Sequence, residues 1–209
     1  MSKGGRCCGV QCYKPKEVLV HDLSTQIQAG SKFAIVSEGA NGKSTILNTL
    51  LSRRTAFHVS GLLKRQVGSG TPIYSSQNSD VLFEDLTLKQ NLDYYIGLGA
   101  VHSNLVCQMV DTFEIAPERQ NVPVRDAYET ERHLVQLILA LAGSRRTLIL
   151  DEPFIGLSRD QSLKLVRIIR QKHGCTVIVT AKSKSEIELF QPHTTVSIRD
   201  KHDKAPVED

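Results

Sequence analysis

The sequence lacks a long hydrophobic run. Its longest apolar stretch, residues 134–142, is interrupted by Gln136. A membrane-spanning helix needs roughly 20 consecutive apolar residues, so we expect no segment of the chain to cross a bilayer. The 209 residues are enough for one compact unit with a sizeable core and are few for two full domains.

The chain also lacks a strong charge of one sign. Lys and Arg number 26 and Asp and Glu number 22, which leaves a formal net charge of only +4. The basic residues are scattered, whereas nucleic-acid binding typically uses a basic stripe with interleaved aromatic residues. We therefore expect no nucleic-acid partner.

The cysteines do not form the pattern of a secreted disulfide framework. There are five, an odd number, and Cys7, Cys8 and Cys12 lie together near the start. This usage indicates a reducing compartment. The cluster could bind a metal ion or accept a lipid, but no second Cys or His cluster completes a four-ligand metal site. We interpret residues 1–16 as a basic tail that contains cysteines.

Strands and helices alternate along most of the sequence. The apolar run Lys32–Val36 predicts a buried strand, and a helical pattern follows from Lys43. Further helical patterns cover residues 88–98, 105–113, 131–142 and 161–173, and strand patterns cover residues 147–150 and 176–180. This alternation predicts an α/β fold whose parallel sheet is covered on both faces, with a helical insertion over residues 78–143.

A phosphate-binding loop is the clearest motif. Ser37-Glu-Gly-Ala-Asn-Gly-Lys-Ser-Thr45 matches the end of the pattern G-x-x-x-x-G-K-[ST], with Ser37 in place of the first glycine. In such loops backbone N–H groups surround the phosphates, a lysine reaches the β- and γ-oxygens, and a hydroxyl holds Mg²⁺. A chance turn is the alternative, but the flanking strand and helix favour the loop. We expect the nucleotide to be bound by Gly39, Asn41, Gly42, Lys43, Ser44 and Thr45, with Ser44 also on the metal.

Two adjacent acids end the strand pattern of residues 147–150. Asp151 and Glu152 follow it directly, at the edge where ligands bind in open α/β sheets. We expect Asp151 to hold Mg²⁺, directly or through water. Glu152 is the candidate general base that positions the attacking water. A structural pair of acids at a strand end is the alternative.

These motifs, in this order, resemble the nucleotide-binding domains of ATP-binding cassette transporters, and the resemblance covers nearly the whole chain. It implies a P-loop NTPase core over residues 17–199, with a mainly parallel sheet, N-terminal antiparallel strands, a helical subdomain over residues 78–143 and a charged tail over residues 200–209. It also implies ATP and Mg²⁺ as cofactors.

The resemblance assigns further residues. Tyr13 matches the aromatic residue that stacks on adenine, and Gln77 resembles the glutamine that senses both Mg²⁺ and the membrane partner, which makes it a catalytic and a metal-binding candidate. Residues 156–158, Gly-Leu-Ser, lie where a dimer-contact loop follows the acidic strand. The family implies head-to-tail pairing of two such domains, identical or different, beneath a transmembrane partner.

Two elements of the family pattern are missing. The signature Leu-Ser-Gly-Gly followed by Gln or Glu should fall on residues 127–131, where only Glu131 matches, and Asp126 with Glu129 has the spacing of a helix-capping pair. After residues 176–180 the family has a histidine that contacts the γ-phosphate. Here the residue is Ala181, and we see no neighbouring residue that replaces it. The chain's own histidines show no catalytic or metal-binding pairing, and we expect most of them at the surface.

Two functions remain open. The chain is either an ATP-hydrolysing transporter subunit or a nucleotide-independent structural subunit that docks on a membrane protein complex. We favour Mg·ATP binding with weak or lost hydrolysis, because the phosphate loop and both acids are retained together while the signature and the histidine are not. We expect the transmembrane partner to be a separate chain, docked on residues 78–99. The protein would then lie peripherally on a membrane, facing a reducing compartment such as the cytoplasm or an organelle matrix.

Overall fold

The computed structural model describes residues 24–37, 42–51, 72–76 and 81–198. Within these residues the chain forms one five-stranded sheet in the order β2-β3-β4-β1-β5, and each pair of neighbouring strands is parallel. The strands are β1 (Lys32–Val36), β2 (Ile73–Ser76), β3 (Thr147–Asp151), β4 (Thr176–Ala181) and β5 (Thr194–Ser197). The predicted α/β fold with a parallel sheet is confirmed.

Most of the helices lie between β2 and β3. The helices of the described residues are α1 (Lys43–Leu50), α2 (Leu88–Gly97), α3 (Ser103–Thr112), α4 (Pro117–Gln120), α5 (Glu129–Ala142), α6 (Arg159–Gln171) and α7 (Lys184–Phe190), with a 3₁₀ turn (Val124–Asp126) before α5. Because β2 and β3 are adjacent in the sheet, the segment from α2 to α5 leaves and re-enters it at neighbouring positions. None of these helices combines the length and hydrophobicity that spanning a bilayer requires.

Side chains of β1 alternate between two apolar clusters. Phe33 and Ile35 pack with Leu47 of α1 in one cluster, and Ala34 belongs to the larger cluster that contains Leu137 of α5 and Leu165 of α6. All five residues of β1 are buried. A parallel sheet with helices on both faces produces this two-sided burial, which explains why the strand reads as a continuous apolar run.

The sequence analysis predicts neither β2 nor β5. Strand β5 is Thr-Thr-Val-Ser at the sheet edge and is largely exposed, and β2 is Ile-Tyr-Ser-Ser and only partly buried. Neither has the apolar pattern that indicates a buried strand. Helix α6 lies two residues earlier than predicted, because Ser158 caps it by accepting a hydrogen bond from the Gln161 N–H at 3.1 Å.

The loop before α2 is organised by one buried amide. Asn91 is fully buried, and its Oδ1 accepts a hydrogen bond from the Phe83 N–H at 2.8 Å. Its Nδ2 donates to the carbonyls of Phe83 at 3.1 Å and Thr87 at 3.0 Å. Asn91 thereby satisfies the Phe83 N–H, which lies in a loop outside any helix or strand, and it holds residues 83–87 against α2.

The predicted N-terminal antiparallel strands fall on residues that lie outside those described. Residues 24–31 lead into β1 without forming a strand. The predicted tails, residues 1–16 and 200–209, also lie outside the described residues.

Candidate functional site

The carboxyl ends of β1, β3 and β4 meet at one edge of the sheet. Val36 is opposite Ala181 in the register of β1 and β4, and the Ser37 N–H donates to the Ala181 carbonyl at 3.2 Å. Asp151 is the last residue of β3, next to β4. Parallel strands bring these positions together because all their carboxyl ends point the same way.

Four predicted site residues lie outside the described residues. They are Tyr13, Gly39, Asn41 and Gln77. Ser76, which precedes Gln77 in the chain, is opposite Asp151 in the register of β2 and β3.

Lys43 is the first residue of α1 and is almost fully buried. Gly42 precedes it with φ of 82°, a left-handed conformation that glycine adopts readily. The Lys43 side chain exposes only 4% of its surface, and its ammonium group donates to the Ser37 carbonyl at 2.9 Å. It also lies 3.6 Å from Glu152 Oε1. A buried cation requires such compensation, and the sheet edge provides it.

Asp151 is buried and accepts hydrogen bonds from hydroxyl groups of α1, β2 and β4. Ser44 Oγ donates to Oδ2 at 2.8 Å and Tyr74 OH donates to the same oxygen at 3.1 Å. Thr180 Oγ1 donates to Oδ1 at 2.5 Å. The carboxylate is therefore fixed in orientation beside the start of α1.

The Ser44 and Asp151 oxygens form a chemically suitable pair for Mg²⁺, which prefers oxygen ligands and takes one or two carboxylates together with phosphate oxygens. No group of three or more His, Cys, Asp or Glu among the described residues could hold a metal ion. A site of this kind would therefore use a hydroxyl, a carboxylate and the ligand's own oxygens. Thr45, the remaining predicted residue, is half-buried on the first turn of α1.

Glu152 has a left-handed backbone, with φ of 51°. This conformation is uncommon for a residue other than glycine and costs about 1–3 kcal/mol. It is held by the Glu152 N–H, which donates to Thr180 Oγ1 at 2.7 Å. The carboxylate lies between Lys43 and the ammonium group of Lys182, whose Nζ is 2.9 Å from Oε2.

Lys182 is a residue of this edge that the sequence analysis does not single out. Although Ala181 occupies the position of the family histidine, the next residue along the chain reaches the carboxylate that the sequence analysis assigns as general base. Thr180 and Tyr74 were also missed. Thr180 is fully buried, but its role depends on the strand beside it, which no local pattern reveals. Tyr74 lies on a strand that was not predicted.

His133 is buried and is an exception among the described histidines, since His102, His173 and His193 are exposed. Its side chain projects from α5, and Nε2 donates to the Pro153 carbonyl at 3.0 Å. Burial lowers the pKa of His133, so the ring is neutral near pH 7. The contact fixes α5 against the chain that follows Asp151 and Glu152.

The start of α5 differs from the predicted capping pair. Tyr128 precedes the helix, and its N–H donates to Glu131 Oε2 at 3.0 Å. Asp126 instead lies in the 3₁₀ turn, 3.8 Å from Arg125. The predicted pair of Asp126 and Glu129 is therefore wrong, because the helix begins two residues later than that pair requires.

Glu131 is held by a two-pronged ion pair. Arg119 of α4 donates to both carboxylate oxygens at 2.7 Å, and its guanidinium lies 4.4 Å from the centre of the Tyr128 ring. The hydrogen bond from Arg119 lowers the pKa of Glu131 and raises that of Arg119. Glu131, the one residue that matches the expected signature, is thus already paired with groups of this chain.

The loop after β3 lies against the first turn of α5. Gly156 has φ of 71°, and a Cβ placed there would be 3.4 Å from Thr130 Oγ1. Ser158 caps α6 at the other end of this loop. The predicted dimer-contact loop and the expected position of the signature are therefore neighbours on one surface.

Sequence comparisons connect this arrangement with known proteins. A family model described as "ABC transporter" matches residues 20–155. The human glucosylceramide transporter ABCA12 is 24% identical over 204 residues, which cover 91% of this chain and 8% of that protein. The sulfate/thiosulfate import ATP-binding protein CysA of Mesostigma viride is 25% identical over 81% of this chain and 52% of that protein. The chain thus spans only a fraction of these relatives' length.

A solved structure has the same fold. It is a dimeric ATP-binding cassette in a post-hydrolysis state with ADP and Pi bound. It superposes with a TM-score of 0.68 at 15% identity, over 90% of this chain and 92% of that one. At this identity the similarity concerns the fold alone.

The ion pair at the start of α5 predicts a pH-dependent stability. Because the pKa of Glu131 is lowered in the folded protein, its contribution is complete above the unfolded pKa and is lost as pH falls through the folded pKa. We expect Arg119→Gln to reduce the free energy of unfolding at pH 7 and to converge with the wild type as the pH falls through the folded pKa of Glu131. Urea unfolding from pH 7 to pH 3 measures this difference.

The control for this experiment is Arg125→Gln. Arg125 pairs with Asp85, whose side chain is 87% exposed, and such pairs contribute little. The free energy of unfolding of Arg125→Gln should equal that of the wild type at every pH. An Arg119→Gln deficit that stays constant with pH would contradict the linkage to Glu131.

Proposed function

Since this chain belongs to the ABC transporter family, whose model matches residues 20–155, we propose that it binds Mg·ATP at the edge of the sheet formed by β1, β3 and β4. The observation that carries the proposal is the convergence of Lys43, Ser44, Asp151 and Glu152 at that edge. It acts as the ATP-binding part of a transporter-type complex, with weak or lost hydrolysis.

Each residue has a role that its contacts support. Lys43 binds phosphate oxygens, because its ammonium group is buried at the start of α1, where helix N–H groups also favour anions. Ser44 and Asp151 bind Mg²⁺ through oxygens that already lie 2.8 Å apart. Bound Mg²⁺ neutralises phosphate charge. Glu152 orients water. Tyr13, Gly39, Asn41, Gly42, Thr45 and Gln77 complete the proposed site by family resemblance.

Weak hydrolysis is supported by the start of α5. In a head-to-tail pair this region would face the nucleotide of the other domain. Instead of glycines and a serine hydroxyl it presents Tyr128, whose side chain is 69% exposed, and an acidic first turn with Glu129 and Glu131. Arg119 forms an ion pair with Glu131. At a near-surface dielectric, like charges 4 Å apart repel by about 4 kcal/mol, so this surface is a poor partner for a phosphate.

Partners and location follow from the family. The human relative is described as a glucosylceramide transporter and is far longer than this chain. We infer that this domain pairs with a second ABC domain, identical or different, and acts with transmembrane segments. It would then lie at a membrane surface that faces the cytoplasm or an organelle matrix.

A nucleotide-independent scaffold is the alternative, and Ala181 favours it. Loss of the family histidine removes one expected contact with the terminal phosphate. Loss of the signature removes the contacts that this domain would make with the nucleotide of a paired domain. The retained buried ion pair of Lys43 and Glu152 argues the other way, because a scaffold has no need for a desolvated cation at a helix start.

Calorimetric titration with Mg·ATP separates these two functions. We expect the purified wild type to bind, and Lys43→Ala to bind at least about tenfold more weakly because a charge-assisted phosphate contact is lost. Lys89→Ala, at an exposed position on α2, is the control and should bind like the wild type. A wild type that binds no Mg·ATP would make the chain a scaffold.

The docking surface for the transmembrane partner is proposed within residues 78–99, of which residues 81–99 are described. Phe83 and Tyr94 are exposed aromatic side chains in edge-to-face contact, with ring centres 4.9 Å apart. Leu98 adds a further exposed apolar side chain. Asn91 holds the Phe83 loop in place, so the patch is presented rigidly. Exposed apolar patches of this kind mark interaction sites.

A matched pair of variants tests this surface. Phe83 and Leu163 are both 46% exposed, but Leu163 lies on α6, outside residues 78–99. We expect Phe83→Ser to reduce co-purification with the transmembrane partner and Leu163→Ser to leave it unchanged. A structure of the complex in which Phe83 and Tyr94 face solvent would refute the assignment.

A further inference from the structure

Glu152 lies between two lysines that come from different parts of the chain. Lys43 Nζ is 3.6 Å from Oε1, and Lys182 Nζ is 2.9 Å from Oε2. Their environments differ, because the Lys43 side chain is 4% exposed and the Lys182 side chain is 52% exposed. One carboxylate thus holds two ammonium groups at the same edge of the sheet, one buried and one facing outward.

The position of Lys182 is determined by its backbone. Strand β4 ends at Ala181, and the Lys182 N–H donates to Glu186 Oε2 at 2.9 Å in the turn that begins α7. Glu152 is fixed in turn by the hydrogen bond from its N–H to Thr180 Oγ1. The two partners of the ion pair are therefore anchored to the same end of β4, so their contact does not depend on a flexible loop.

Lys43 and Lys182 together carry two positive charges, which balance the charges of Glu152 and Asp151 at the same edge. With Mg²⁺ held by Ser44 and Asp151 as proposed above, this edge would carry a net positive charge and would favour an additional anion. A nucleoside triphosphate carries a terminal phosphate that a diphosphate lacks, and Lys182, on the outer side of Glu152 relative to Lys43, is placed to contact the oxygens farthest from the start of α1. An ammonium group has three donors, so it can keep Glu152 while it binds a phosphate oxygen.

We propose that Lys182 is a second phosphate-binding cation that makes this site prefer nucleoside triphosphate over diphosphate, with Glu152 holding it in position. The proposal rests on the nucleotide site proposed above and extends it to the choice of nucleotide. Lys43 reaches the β-phosphate that both nucleotides share as well as the terminal phosphate, whereas Lys182 contacts only the terminal one.

The test compares Mg·ATP with Mg·ADP by calorimetry, without any need for turnover. Lys182→Met removes the charge and keeps the aliphatic stem. We expect it to weaken Mg·ATP binding about tenfold, the loss of one charge-assisted hydrogen bond, and to leave Mg·ADP binding unchanged. Lys182→Arg should restore most of the preference for ATP. Lys184→Met, an exposed lysine at the start of α7, should change neither affinity.

The outcomes separate this proposal from the one on which it rests. A wild type that binds neither nucleotide overturns both. A wild type that binds Mg·ATP, with a Lys182→Met variant whose ratio of ATP to ADP affinity is unchanged, overturns the role of Lys182 and leaves the nucleotide site intact. Equal weakening of both nucleotides likewise contradicts selective contact with the terminal phosphate. Unchanged denaturation midpoints establish that each variant is folded.

Discussion

The candidate site depends on the two hydrogen bonds made by the hydroxyl group of Thr180. This group accepts the Glu152 N–H and donates to Asp151 Oδ1, so one side chain of β4 orients both acids at the end of β3. The left-handed backbone of Glu152 is unfavourable by itself, and this hydrogen bond helps to hold it. That turn directs the Glu152 carboxylate toward Lys43, while Asp151 stays beside Ser44. The Thr180 hydroxyl, the Glu152 N–H and the Asp151 carboxylate therefore fulfil one another's hydrogen-bonding needs where little water is present.

The parallel sheet provides the second constraint. Because β1, β3 and β4 run in the same direction and are covered on both faces, their apolar residues form the core while their carboxyl ends carry the polar chemistry. His133 adds a contact from α5 to Pro153, which couples the helical segment to the acids. The region expected to serve a partner's nucleotide and the region proposed to bind this chain's own nucleotide are therefore connected through a few residues after Asp151.

Much of the fold and of the candidate site could be predicted from the sequence, and the failed predictions share a cause. Strand β1, the start of α1 and the pair of acids follow from local patterns with a fixed spacing. Thr180 and Lys182 were missed because their importance depends on which strand lies beside β3, which no local pattern reveals. The start of α5 was placed wrongly for a related reason. The carboxylate that caps α5 belongs to Glu131, which also pairs with Arg119 of another helix. Sequence spacing does not show this long-range contact, so spacing alone favours Asp126 and Glu129 as the cap.

The most direct measurement of the central claim is a structure of the chain with Mg²⁺ and a non-hydrolysable ATP analogue. The account predicts phosphate oxygens in contact with Lys43 at the start of α1, and the metal bound by Ser44 Oγ and by Asp151, directly or through water. A nucleotide bound elsewhere on the protein would contradict it, as would phosphates at this edge of the sheet that leave Lys43 paired only with Ser37 and Glu152.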